Sequence, residues 1–251
     1  MRKGKQLLSR TLARANLDLH RRHHVPFGVR WSDDIAHYRR DRAVSVAFDI
    51  GAHKGETTLK LLRAFPGVQM HSFEPLPENF ADLQRATAGS NVRTVNAAVS
   101  DRSGVVTMAR GEASYLASLH RDGQGVEVHA VTVDEYVLEL GLDRIDLLKI
   151  DTEGHDEAVL RGSLKQLESG RIEFVVCECE FTARPEEPHA DFRRIHELLE
   201  PLGYRVVSFY TGGVDNLGWI WGDVLFRYAP GQSDRETWAL SPHLERRTFG
   251  L

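Results

Sequence analysis

Between residues 46 and 62 the chain reads VAFDIGAHKGETTLKLL: an apolar run ending in an acid, a turn through two glycines, then the apolar spacing of a helix. Gly51 lets the backbone turn tightly and Gly55 lets the following helix come close, with the small Ala52 between them, so a ligand can lie over the turn. Asp49 is the last acid before that turn. Glu74 lies 23 residues beyond Gly51, at the end of the next apolar run, where a carboxylate can accept both hydroxyls of an adenosine ribose. A second group of reactive types, KIDTEGHD, sets Asp151, Glu153, His155 and Asp156 within one short turn. An imidazole with a pKa near 6.5 accepts a proton near neutrality, so His155 is the first candidate for a general base. Asp151 would orient it or the substrate, or cap the helix that follows. In IEFVVCECE, Glu178 and Glu180 share one face of a strand and Cys177 and Cys179 the other. Unpaired carboxylates are costly in an apolar strand, so Glu178 is expected to reach the cleft.

Two kinds of cofactor fit a turn of this spacing, a dinucleotide and an adenosylated methionine. His53 stands where a diphosphate-binding G-x-G-x-x-G has its second glycine, which disfavours close passage of a diphosphate. Asp49 would repel that diphosphate, yet could attract the ammonium of a methionine, directly or through water. The Y-x-x-x-K pair of short-chain dehydrogenases, the G-x-x-x-x-G-K-[ST] phosphate loop and the H-E-x-x-H zinc motif are all missing, as is the D/N-P-P-Y segment of adenine methylases.

These residues need a scaffold that brings strand ends together. VSVAFDI (44–50), QMHSFEP (69–75), NVRTVNAAV (91–99), IDLLKID (145–151) and IEFVVCECE (172–180) read as buried strands. Helices are expected over 56–65, 77–87, 133–141, 156–169 and 189–203, with a shorter capped turn at SDDIAHY, Ser32 or Asp33 being its cap. This alternation predicts an α/β, doubly wound, mostly parallel sheet whose ligand lies at the strand-order switch, at the end of the first strand. Residues from about 100 to 133 look like an insertion or a peripheral hairpin. YRVVSFY and WIWGDVLFRY are joined by too few residues for a crossover, so they should add antiparallel strands at the C-terminal end of the sheet. Tyr210, Trp219 and Trp221 in that segment offer flat faces for a sugar, or belong to the core.

With 251 residues, 41% hydrophobic, 27% charged and a net charge of −4, the composition is that of an ordinary globular domain and not of a bulk nucleic-acid binder. Residues 1–42 hold eleven Lys and Arg against four Asp and Glu, a local +7 that leaves −11 on the remainder. This arm reads as a basic amphipathic helix, with Leu7, Leu8, Leu12, Leu17 and Leu19 covering core; the other reading is contact with an anionic lipid, glycan or acidic partner. Its HRRHH run is a solvated face before it is a metal site. No apolar run spans a bilayer and no apolar leader segment opens the chain, so a cytoplasmic location is expected. The two cysteines read as reduced thiols.

The ordered set FDIGAHKG, FEPLPENF, NAAVSD, KIDTEGHDEAVLRG and VVCECE, over roughly residues 44–180, resembles the FkbM family of S-adenosylmethionine-dependent O-methyltransferases. The resemblance implies a class I methyltransferase (Rossmann-like) fold over 44–230, preceded by the basic appendage of 1–43 and followed by a tail of 231–251. It implies methylation of a hydroxyl on a sugar-containing or polyketide-type metabolite, a small molecule or glycolipid, with no nucleic-acid partner. Position by position, Asp49, Gly51, Ala52 and Gly55 match the cofactor turn and Glu74 the ribose acid. Asn96 and Ala97 fall where such folds contact adenine, with Ser100 and Asp101 as further candidates. Aligning a nucleophile and taking its proton falls to His155, Asp151 and Glu178. No metal ligands are assigned, although Mg²⁺ held by Asp151 and Glu178 would be another way to activate a hydroxyl. A cofactor-binding domain without catalysis and an NAD-dependent enzyme are the alternatives. Peripheral membrane contact through the arm and homo-oligomerisation are both left open.

Overall fold

A computed structural model describes residues 27–40, 42–109, 125–182, 190–210, 212–216 and 218–231. The leucines of the basic arm, its HRRHH run and most of the C-terminal tail lie outside these residues.

The chain opens with α1 (Trp31–Arg39), then β1 (Val46–Ile50), α2 (Glu56–Ala64), β2 (Gln69–Phe73), α3 (Pro77–Ala86) and β3 (Val92–Val95). The short strands β4 (Ala98–Val99), β5 (Gly104–Ala109) and β6 (Gly125–Val131) lead to α4 (Val133–Leu140) and β7 (Ile145–Ile150). Then follow α5 (Asp156–Arg161), α6 (Leu164–Glu168), β8 (Ile172–Glu180), α7 (Phe192–Leu199), β9 (Tyr204–Phe209), β10 (Gly213–Asp215) and β11 (Gly218–Tyr228). The main sheet runs β3-β2-β1-β7-β8-β11-β10, with β9 also paired to β11. It is parallel from β3 through β8, and β11 is antiparallel to both β8 and β9. This is the doubly wound sheet with antiparallel C-terminal strands that a class I methyltransferase fold requires.

Strands covered on both faces must be apolar throughout, and β7 is buried at all six positions. On one face Phe48, Phe73, Leu148, Ile150 and Phe226 pack with Tyr136, Val159, Leu167 and Ile195 of α4 to α7. On the other, Ala47, Met70, Leu147 and Phe174 meet Ile35 of α1 and Leu61 of α2. The switch in strand order falls at β1, which has β2 on one side and β7 on the other.

Three local expectations are corrected. The run 91–99 divides at Asn96–Ala97: β3 stays in the main sheet while β4 joins β6 and β5 in a separate three-stranded sheet. The helix expected over 156–169 divides at Gly162 into α5 and α6, and only glycine fits there, since a Cβ would stand 2.0 Å from the Ser100 carbonyl oxygen. Nor does Ser32 or Asp33 cap α1; the cap is Arg30, without a side-chain bond. The peripheral hairpin is present as antiparallel β5 and β6. Among the described residues no helix is long and apolar enough to cross a membrane.

Candidate active site

The carboxyl ends of β1, β2 and β7 open into a cleft of about 250 Å³, lined by Gly51, Ala52 and His53 from the first, Glu74 and Leu76 from the second, and Asp151, Glu153 and His155 from the third. The turn after β1 has no latitude. Gly51 has φ +78°, and a Cβ on it would meet the Asp151 carbonyl oxygen at 1.9 Å, so only glycine lets β1 and β7 close at this point. Gly55, at φ +91°, sits 3.0 Å from Leu83 by the same test, which seats α2 against α3.

Glu74 is 5% exposed. Its Oε2 accepts from the His53 N–H at 3.0 Å and its Oε1 from the Leu76 N–H at 3.0 Å. Burial raises its pKa and those two donors work against the rise. The carboxylate is thereby fixed at the wall of the cleft, as an acceptor of ribose hydroxyls must be. Ala97 lines the cleft beside Ala98, Val99, Phe73 and Met108, which together make an apolar wall suited to a flat base.

Two of the expected cofactor contacts lie elsewhere. Asp49 is fully buried and absent from the lining: its Oδ2 accepts from Thr58 Oγ1 at 2.6 Å, and Lys149 Nζ lies 3.8 Å from Oδ1. Thr58 has one hydroxyl proton and gives it to Asp49, so Ser72 must donate to Thr58 across their 2.8 Å contact. Asp49 thus binds β1, α2 and β2 together beneath the turn. Asn96 is also outside the lining, and its amide donates to the Glu74 and Pro75 carbonyl oxygens at 2.9 and 3.0 Å. It braces the strand end that carries Glu74.

Asp151 lines the cleft and takes an ion pair from Lys149 Nζ at 2.7 Å. Burial works against the charge on Lys149, yet Asp151 and Asp49 outweigh it and hold the ammonium above the ordinary lysine pKa. Glu178 does not line the cleft as expected. It stands with Asp151 and Glu153 in a group whose carboxylate oxygens lie within 4.8 Å of one another. Burial, then the neighbouring Asp151, Glu153, Asp156 and Asp223, push its pKa up to about 8. A Glu178 that keeps its proton at neutrality is a poor base. Such an oxygen-only group suits a hard divalent cation in donor type. The cysteines of the same strand are free, buried and away from the cleft.

His155 occupies the N-cap of α5, and Nε2 lies 2.9 Å from Ser100 Oγ. Ser100, offered above as an adenine contact, is instead the neighbour of this histidine. On its far side His155 lines a second, larger cleft of about 840 Å³ with Ser100, Asp101, Arg102 and Arg194. Among the described residues His155 is the one side chain common to the linings of both clefts.

Sequence reasoning missed three contributors. His53, whose role the sequence leaves open, takes a left-handed φ of +48°, lines the first cleft, and has Nε2 buried without a hydrogen-bond partner. Lys149 sits inside an apolar strand pattern, two residues before Asp151, and the pairing of β1 with β7 sets it beside Asp49. The Ser100–His155 contact spans 55 residues and has no local signal. Of the described side chains of the aromatic segment, Tyr210 is buried, its hydroxyl donating to Asp34 Oδ2 at 2.7 Å, and Trp221 lines neither cleft. The Trp219 side chain lies outside the described residues.

With this geometry in place, the comparisons with known proteins carry weight. The 31-O-demethyl-FK506 methyltransferase FkbM of Streptomyces tacrolimicus is 30% identical, over 55% of this chain and 66% of that protein. The 2-O-methyltransferase NoeI of Sinorhizobium fredii is 25% identical, over 72% of this chain and 79% of its own. Among solved structures, a precorrin-6y C5,15-methyltransferase from Geobacter metallireducens GS-15 shares 13% identity at a TM-score of 0.45, covering 79% of this chain and 87% of that one. The model of the methyltransferase FkbM domain matches residues 49–206, more than half of the chain, and the chain therefore belongs to the FkbM methyltransferase family.

Proposed function

We propose that this chain is an S-adenosylmethionine-dependent O-methyltransferase acting on a hydroxyl of a sugar-containing or polyketide-type metabolite, with residues 44–230 as the methyltransferase domain and the cytoplasm as its location. The observation that carries the reading is His155, which stands where a cleft over the strand-order switch meets a second cleft. Family membership supports the reaction class, and the two relatives are named as O-methyltransferases.

The chemistry of the first cleft suits this cofactor. Among the described residues its lining includes the carboxylates of Glu56, Glu74, Asp151 and Glu153 and neither lysine nor arginine. That field favours a sulfonium and an ammonium and disfavours the diphosphate of NAD. Bound there, S-adenosylmethionine supplies an electrophilic methyl group. Glu74 would hold the ribose, the apolar wall at Ala97 the base, and Asp151 the cationic end.

The protein's own task is to orient the hydroxyl and take its proton as the new O–C bond forms and the S–C bond breaks. Ser100 gives its hydroxyl proton to Asp101 Oδ1 at 3.2 Å, so it accepts from His155 Nε2–H. His155, 2.9 Å from Ser100 Oγ, would receive the proton of the acceptor hydroxyl. A divalent cation at Asp151, Glu153 and Glu178 is a second route to an activated hydroxyl, favoured by the spacing of those carboxylates; sensitivity of turnover to EDTA, reversed by Mg²⁺, is its test.

Calorimetric titration with S-adenosylhomocysteine and with NAD⁺ tests the main reading. Micromolar binding of the first and none of the second is expected. The opposite pattern overturns it, and cofactor binding without methyl transfer to any of a broad set of hydroxylated acceptors would leave a non-catalytic domain.

A further inference from the structure

The second cleft differs from the first in the sign of its charge. Arg102 reaches it from the turn between β4 and β5, Arg161 from the end of α5 and Arg194 from α7, and among the described residues its lining has no lysine. Among the described residues of the lining, two carboxylates, Asp101 and Glu157, face these three guanidinium groups. Asp101 is engaged by Ser100. Glu157 Oε1 accepts from Arg161 Nε and Nη2 at 3.1 and 2.6 Å, and its Oε2 lies 3.8 Å from Arg194 Nη1. Glu157 is therefore shared between two arginines, and Arg102 has no carboxylate partner among the described residues. A net positive cleft is out of keeping with residues 43–251, which together carry −11.

Arginine rather than lysine matters here, because the guanidinium is a planar fork that grips a carboxylate or phosphate through paired bonds. Among the described residues His155 lines both this cleft and the methyl-donor side. An acceptor anchored by its anionic end against the arginines would lie with its other end toward that histidine.

We propose that the second cleft is the acceptor site and that the acceptor carries an anionic group, a phosphate or a carboxylate, bound by Arg102 and Arg194 with Arg161 beside them. This rests on the methyltransferase reading of the first cleft. It narrows the acceptor from any hydroxylated metabolite to a sugar or polyol acid or ester that is negatively charged at neutral pH.

The full chain is first saturated with S-adenosylhomocysteine, then titrated calorimetrically with glucose 6-phosphate, glucuronate and neutral methyl glucoside. At least one of the two anions is expected to bind, the neutral glucoside not measurably, and the better anion identifies the group. Arg102→Ala and Arg194→Ala should each weaken that anion about tenfold or more, with the affinity for S-adenosylhomocysteine unchanged. Binding of neither anion, equal binding of anion and glucoside, or full affinity in both arginine variants would overturn the proposal. Failure of S-adenosylhomocysteine to bind at the outset would remove the methyltransferase reading instead, so the two failures are told apart.

Discussion

His155 and Glu74 answer to different experiments because they face different partners. Glu74 is held by two backbone donors at the wall of the first cleft, and its remaining lone pairs are what a ribose would use. Glu74→Ala removes charge-assisted acceptors that are worth about 1.5–3 kcal/mol. The variant should bind S-adenosylhomocysteine at least tenfold more weakly in calorimetry, and unchanged affinity would remove the ribose assignment. His155→Ala should leave that affinity alone and lower turnover by about 10²- to 10⁴-fold, the range of a lost general base. A wild-type rate would move the base to Asp151 or to a metal-bound route. Ser100 acts through His155, as a positioning residue. Ser100→Ala should therefore shift the pH profile of turnover while the cofactor affinity stays put, whereas a purely structural role would leave the profile where it was.

At the scale of elements, the strands and helices carry what the site residues presuppose. β1, β2, β7 and β8 were legible because strands buried on both faces show as apolar runs, and the two glycines with an acid on the next strand marked the switch point before any coordinates. The boundaries failed where a distant atom decided them. Gly162, between α5 and α6, lies too close to the Ser100 carbonyl for any Cβ, and Asn96 turns its amide to the Glu74 and Pro75 carbonyls. Asp49 was assigned to the cofactor because nothing in VAFDIGAHKG shows that Thr58 and Ser72 will close over it.

The same elements hide a titratable group that composition never flags. His71 of β2 is fully buried among Phe48, Phe73 and Tyr136, with Nδ1 2.9 Å from the Tyr136 hydroxyl and Nε2 3.0 Å from Gln69. Burial, helped by Arg93, lowers its pKa to about 4. The unfolded chain, with a histidine pKa of about 6.5, binds a proton there first, so stability is lost as pH falls from about 6.5 toward 4. One such proton steepens the dependence by up to about 1.4 kcal/mol per pH unit. Urea unfolding of His71→Asn across this window should show a slope shallower by that amount, and an identical slope would mean that His71 is protonated in the folded protein.

Across the whole molecule, β7 joins two charged centres at opposite edges of the sheet. At its carboxyl end Asp151 enters the candidate site. At its amino end Asp146 meets Arg39 of α1 at 2.9 Å and accepts the Ser45 and Val46 N–H groups, while Arg39 also pairs with Glu173 of β8 at 2.7 Å. The Arg39 and Asp146 side chains are 4% and 1% exposed, so α1 is locked to the bottom of the sheet by a buried ion network. Removing one member of such a network strands the others, at about 3–5 kcal/mol. Arg39→Ala should lower the stability to urea by that amount. Arg39→Lys should recover little of it, because an ammonium cannot span two carboxylates and the Ala43 carbonyl, which Arg39 Nη2 also binds at 2.6 Å. The two ends of β7 are roughly 17 Å apart at about 3.3 Å per residue. Below the unfolding transition the variant should therefore bind S-adenosylhomocysteine as the wild type does. A loss of cofactor affinity that tracks the loss of stability would instead mean that the charge network at one edge of the sheet sets the geometry of the cleft at the other.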